Sequence, residues 1–111
     1  MNITEAAVIS SGLALIRVEN LKFVSDIGDV INHNLMEAGP TDLIFLVKGA
    51  FYLKKFKHTT DVYHKVHARA LSLYNMRQLD PAHVQALSAL FNSHEVIKDS
   101  PFVSARVDRP N

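Results

Sequence analysis

Asp61, His64 and His67 recur at intervals of three in the stretch TTDVYHKVHARALSLYN, residues 59–75. A carboxylate and two imidazoles are the side chains that ligate a transition metal, and an imidazole beside a carboxylate can also serve as an acid/base pair. Spacing decides between such a site and the polar edge of an ordinary helix. Each step of three residues turns a helical side chain back by ~60°, so Asp61 and His67 diverge by ~120°. The two-histidine zinc helix uses an interval of four with a glutamate beside the first histidine, and di-iron bundles use two Glu-x-x-His copies. Neither pattern is present. His67 falls inside an apolar arc of Val62, Tyr63, Val66, Ala70, Leu71, Leu73 and Tyr74, with His64 at its edge and Asp61 beyond it. The run therefore predicts a histidine partly buried beside a tyrosine. A metal site at Asp61, His64 and His67 stays as a weak alternative, and no cofactor is expected.

A second pair of histidines brackets an apolar seam. His83, Leu87, Leu90 and His94 follow one another at intervals of 4, 3 and 4, flanked by Val84 and Phe91. Packed against a second copy or another protein, this seam would acquire charge and weaken below the histidine pKa of ~6.5; if both histidines reach solvent, no such effect follows.

Other chemistries find little support. There is no cysteine, hence no disulfide framework, thiolate nucleophile or Cys-type metal site. No Gly-x-Ser-x-Gly elbow occurs, and the glycines at 12, 28, 39 and 49 form no phosphate loop. Asp26 and Asp29 fall on the solvated side of their helix. A non-enzymatic protein is expected. The formal charge of +1 does not mark a nucleic-acid binder, so only a local patch, Lys48, Lys54, Lys55, Lys57 and His58, could meet phosphates. Val8, Gly12 and Val18 imitate helix-turn-helix spacing, but Ala14, Leu15 and Ile16 would then face the groove with no hydrogen bonds to offer.

These side chains must be positioned by helices. Asn2 and Glu5 form a capping box for a helix over 3–17 with Ala6, Ile9, Leu13 and Ile16 on one stripe, although the alternation over 14–19 also suits a strand. Residues 20–37 form an amphipathic helix capped by Asn20 and stopped by Gly39-Pro40, with Phe23, Val24, Ile27, Val30, Ile31 and Leu35 on one half of the wheel. Asn34 lies within that arc, where its amide must find partners. Thr41 or Asp42 caps a segment that is apolar nearly all round from 43 to 53, which as a helix belongs in the middle of a bundle. The alternative is a hairpin over 43–56 turning at Lys48-Gly49. Thr60 caps the helix carrying His64 and His67, and Asp80-Pro81 opens the last one, which reaches His94 or Lys98.

At 111 residues, 48% hydrophobic and 21% charged, the chain can bury roughly two thirds of its unfolded surface as one domain. The expected fold is all-α, a bundle of four to five short helices over 1–99, with an extended or disordered tail at 100–111. Residues 6–16 lack the basic flank of a signal peptide, and the longest apolar run, 43–47, ends at Lys48, far short of the ~20 residues of a membrane span. A cytoplasmic protein follows. The expected function is protein–protein interaction or regulation through apolar helix faces as a homodimer, with a second copy or another protein as partner and Tyr63, Tyr74 and Phe91 as anchors beside the His83 to His94 seam.

Overall fold

Pro40–Leu53 is a helix, and the hairpin is excluded: its apolar residues spread round the whole wheel, which no two-residue alternation can satisfy. The computed structural model describes residues 1–16, 20–95, 97 and 100–102. In chain order the helices are α1 (Ile3–Ile16), α2 (Leu21–Asn34), α3 (Pro40–Leu53), α4 (Val62–Asn75) and α5 (Pro81–His94), and no strand occurs among the described residues. Two short 3-10 turns, Leu35–Glu37 and Lys57–Thr59, lead into and out of α3.

The helix starts follow their caps. Asn2 N–H donates to Glu5 Oε1 at 3.0 Å and Glu5 N–H to Asn2 Oδ1 at 2.8 Å, so the reciprocal box forms as expected. Asn20 Oδ1 accepts from Phe23 N–H at 3.0 Å. Two expected caps move by one to three residues. α3 starts at Gly39-Pro40, with Asp42 reaching back to accept from Gly39 N–H at 3.1 Å. α4 starts at Asp61, because the Thr60 hydroxyl is turned to the Lys54 carbonyl at 3.2 Å. α2 tightens to a 3-10 turn after Asn34, whose amide donates to Val30 O at 2.9 Å within its own helix. α5 ends at His94, since Glu95 is already extended.

α3 is the common partner of α1, α4 and α5. Leu43, Leu46, Val47, Ala50 and Leu53 are fully buried on it, which is what an apolar helix in the middle of a bundle predicts. α1 approaches it through small residues. Ala6, Ala7 and Ser10 are buried, and a Cβ added at Gly49 would lie 2.0 Å from Ser10 Oγ and 2.8 Å from the Ser10 backbone carbon. The buried side of α1 is thus Ile3, Ala6, Ala7, Ser10 and Leu13, turned from the expected stripe; Ile9 is only half-buried. Gly28 makes a second close seat on α2, where Thr59 Cγ2 occupies the space of a Cβ while the Thr59 hydroxyl donates to Leu53 O at 2.6 Å. The Arg69 guanidinium of α4 clamps the turn before α3, donating twice to Ala38 O at 3.2 and 3.1 Å.

The chain does not leave the bundle at residue 99. Ser100 is buried and Phe102 is fully buried in the core, so the first three residues assigned to the tail are packed; residues 103–111 lie outside the described residues. Beyond α4 the chain reverses through Arg77, with φ of 59° in the left-handed region. Arg77 N–H donates to Tyr74 O at 3.1 Å and Gln78 N–H to Leu73 O at 2.9 Å, the Schellman closure that ordinarily takes glycine. A side chain held there costs about 1–2 kcal/mol. Part of that returns as unfolded-state entropy when glycine is introduced. Arg77→Gly is therefore expected to raise stability by about 1 kcal/mol, read as a higher urea midpoint at unchanged slope; a lower midpoint would mean that the Arg77 side chain contributes more than its strain removes.

Candidate functional site

The opening triplet is taken apart by the fold. Asp61 is exposed and paired with Lys65 at 3.2 Å. His64, on the rim, faces the Glu95 carboxylate at 3.9 Å. His67 turns inward between the rings of Phe91 and Phe102, at 5.1 and 5.9 Å, and its Nε2 pairs with Ser100 Oγ at 2.7 Å. The three do not converge, and among the described residues no group of three His, Cys, Asp or Glu could hold a metal ion. What the wheel did predict, a histidine drawn into the apolar arc, is found at His67, but its ring partners are Phe91 and Phe102. The histidine in ring contact with a tyrosine is the exposed His64, 6.1 Å from Tyr63.

Burial lowers the His67 pKa, and the nearby His64 lowers it further. The unfolded chain therefore takes up this proton at higher pH than the native one. Stability is full above the unfolded value of ~6.5 and falls as pH drops from there toward the depressed native value. Thermal melts between about pH 7.5 and 5.5 are expected to show a falling midpoint, with a shallower fall in His67→Gln; equal slopes in both proteins would assign the loss to other groups.

Next to it, Tyr63 anchors the end of α5. Its hydroxyl donates to Glu95 O at 2.9 Å and accepts from Glu95 N–H at 3.2 Å. Burial pushes the phenol up to about 12, the Glu95 amide opposes this and the Glu95 carboxylate adds to it. That carboxylate also holds Lys54 in an ion pair. Lys54, His64 and Glu95 thus come together at one end of the bundle, which no local spacing in the sequence announces because the lysine and glutamate are 41 residues apart.

The expected partner seam divides between core and surface. Tyr63, Leu87 and Phe91 are fully buried and so are not available as anchors, whereas Leu90, His83 and His94 are half-buried and Tyr74 is 39% exposed. His94 Nδ1–H donates to Leu90 O at 2.8 Å, and its ring stands edge-on to Phe51. His83 Nδ1 is buried with no hydrogen-bond partner among the described residues, the nearest carboxylate being Asp80 at 3.7 Å. The expected basic patch is also divided. Lys54 is paired with Glu95, and Lys55 sits over the Tyr52 ring at 5.0 Å. Lys57 and His58 rim an apolar groove of about 220 Å³ floored by Leu21, Val24 and Phe56, while Lys48 is exposed on α3.

A surface not expected from the sequence lies on α1. This helix packs on α3 and, less extensively, α2, yet the side turned away carries Thr4, Val8, Ser11, Gly12 and Leu15. Val8 is 52% and Leu15 83% exposed. A Cβ built on Gly12 meets nothing within 4 Å, so the surface between the two apolar side chains is low and open. Glu5 is the only charged residue from Ile3 to Ile16, and it stands beside this stripe.

No protein-family model, curated protein or solved structure matches this chain. No helix among the described residues is long and apolar enough to cross a membrane.

Proposed function

We propose that this chain is a small non-enzymatic interaction protein that works by presenting an apolar helix face and self-associates through it. One observation carries the reading: α1 packs one side on α3 and leaves Leu15 and Val8 in solvent on the other, with small residues between them. Contiguous exposed apolar surface marks an interaction site. The face is on α1 and not on the α5 seam, whose best anchors are spent on the chain's own core.

The test is light scattering after size exclusion over a range of concentrations, at about pH 7.5 and 5.5. A dimer is expected at both, because α1 contains no histidine, and Leu15→Lys, at a position that is almost fully exposed, is expected to be a folded monomer. A dimer that dissociates only at the lower pH would point back to His83 and His94; a monomer at every concentration would defeat the self-association reading.

A further inference from the structure

We infer that the groove between the start of α2 and the Lys57–Thr59 turn binds a small organic monocarboxylate with an apolar body of about six to eight carbons, the body lying in the groove and the carboxylate meeting Lys57 and His58. The inference goes beyond the self-association reading and does not depend on it, since the groove and the open side of α1 share no residue.

The groove is a built feature. Leu21, Val24 and Phe56 give it an apolar floor, and Leu21 is left 69% exposed at its mouth. Its far wall is fixed in place. Thr59 is buried, its Cγ2 fills the seat at Gly28, its hydroxyl donates to Leu53 O at 2.6 Å and its N–H donates to Phe56 O at 3.2 Å. The turn that carries Lys57 and His58 is thereby tied to both α2 and α3, and the Phe56 ring is held edge-on to Tyr52 at 5.5 Å. Walls already in position cost little ordering when a ligand enters.

Size and charge select the occupant. A cavity of ~150 Å³ takes benzene, so 220 Å³ takes a substituted ring or a short chain; a partner helix, ~10 Å across, is too wide. Lys57 and His58 are both exposed, and neither has a carboxylate partner among the described residues. The nearby acids in the chain, Asp26 and Asp61, are already paired with Lys22 and Lys65 at 3.5 and 3.2 Å. A lysine beside an apolar wall lays its hydrocarbon stem along it and keeps its ammonium in water at the rim, where it can meet an anion whose apolar part lies below. The mouth also opens at the N-terminal end of α2, whose dipole favours negative charge. One permanent positive charge and an imidazole N–H match a single carboxylate, whereas a phosphomonoester would bring further negative charge with no cation to meet it.

Octanoate is titrated into isotopically labelled protein and the amide resonances are followed. One saturable site is expected, with the largest shifts at Leu21, Val24, Ser25 and residues 56–59. Each buried methylene strengthens binding roughly fourfold, so butanoate is expected to bind at least about tenfold more weakly. Octanol, which has the chain without the charge, is expected to be weaker by a similar factor of about ten. Lys57→Glu and Leu21→Ser, both at exposed positions, are expected to stay folded by circular dichroism. Lys57→Glu should weaken octanoate at least about tenfold and leave octanol unchanged, while Leu21→Ser should weaken both. Octanol binding as tightly as octanoate, or a Lys57→Glu protein that binds octanoate unchanged, would overturn the carboxylate. Shifts that never saturate, or that centre on α1 or α5, would overturn the groove. Octyl phosphate binding more tightly than octanoate would give the groove to phosphomonoesters and overturn the stated class.

Discussion

Gly49→Ala is expected to lose about 2 kcal/mol or more of folding stability, although alanine is the better helix former. The intrinsic gain from replacing a mid-helix glycine is about 1 kcal/mol. Against it stands the approach of α1: the new methyl would lie 2.0 Å from Ser10 Oγ, 2.5 Å from Ser10 Cβ and 2.8 Å from the Ser10 backbone carbon. A side-chain rotation relieves only the first of these. The other two require α1 itself to move, which withdraws Ala6, Ala7 and Leu13 from contacts in which they are buried. Overpacking of this kind costs about 1–3 kcal/mol and sometimes more, so strain outweighs propensity. Gly12→Ala on the open side of α1 supplies the contrast: nothing lies within 4 Å of the new atom, and at concentrations where the chain is monomeric the same substitution is expected to stabilise by about 1 kcal/mol. The check is a pair of urea titrations read as midpoint shifts at constant slope; like signs at the two glycines would refute the close approach of α1 and α3.

Phe91→Ala is expected to be the most damaging single truncation, at about 3–5 kcal/mol. Phe91 is fully buried, and its ring touches three others: Tyr63 at 5.9 Å, His67 at 5.1 Å and Phe102 at 5.3 Å between centroids. Removing it opens a cavity walled by rings that cannot collapse into it without abandoning the Tyr63 bonds to Glu95 and the His67 bond to Ser100. Against a total stability on the order of 10 kcal/mol for a domain of this size, the melting temperature is expected to fall by on the order of 15 °C. A second readout is local. Phe102 leans on Phe91, and its carbonyl accepts from Asn92 Nδ2 at 3.2 Å, so limited proteolysis at Phe102 should speed up by more than the global loss explains. Phe91→Leu, which keeps most of the volume, is expected to lose less than about 1.5 kcal/mol; a Phe91→Ala protein no less stable than that would mean the ring cluster contributes little.

What the sequence made legible was local. The Asn2–Glu5 box, the Asn20 cap and the Asp80-Pro81 start each depend on residues within three or four positions of one another, and each is found. The central place of α3 was legible too, because apolar residues on every side of a helix leave it nowhere else to go. The same logic applied to α1 does not say that one of its sides stays open; that depends on how many neighbours the fold supplies. A wheel tells which residues share a face and not whose surface the face meets. This is why Tyr63 and Phe91 read as partner anchors, and Leu87 as part of the partner seam, and all three turned out to be core. Phe102 escaped for a different reason: a single aromatic residue returning to the bundle has no periodicity to detect. Glu95 escaped because its partners, Lys54 and His64, come from other helices.

The shared position of α3 also governs how the molecule comes apart. α1 rests on α3 from one direction and α4 and α5 from others, so melting either flank strips water-averse surface from the element that the remaining flank depends on. The protein is expected to unfold as one cooperative unit, with the amide protons of Leu46, Val47 and Ala50 exchanging only through opening of the whole structure.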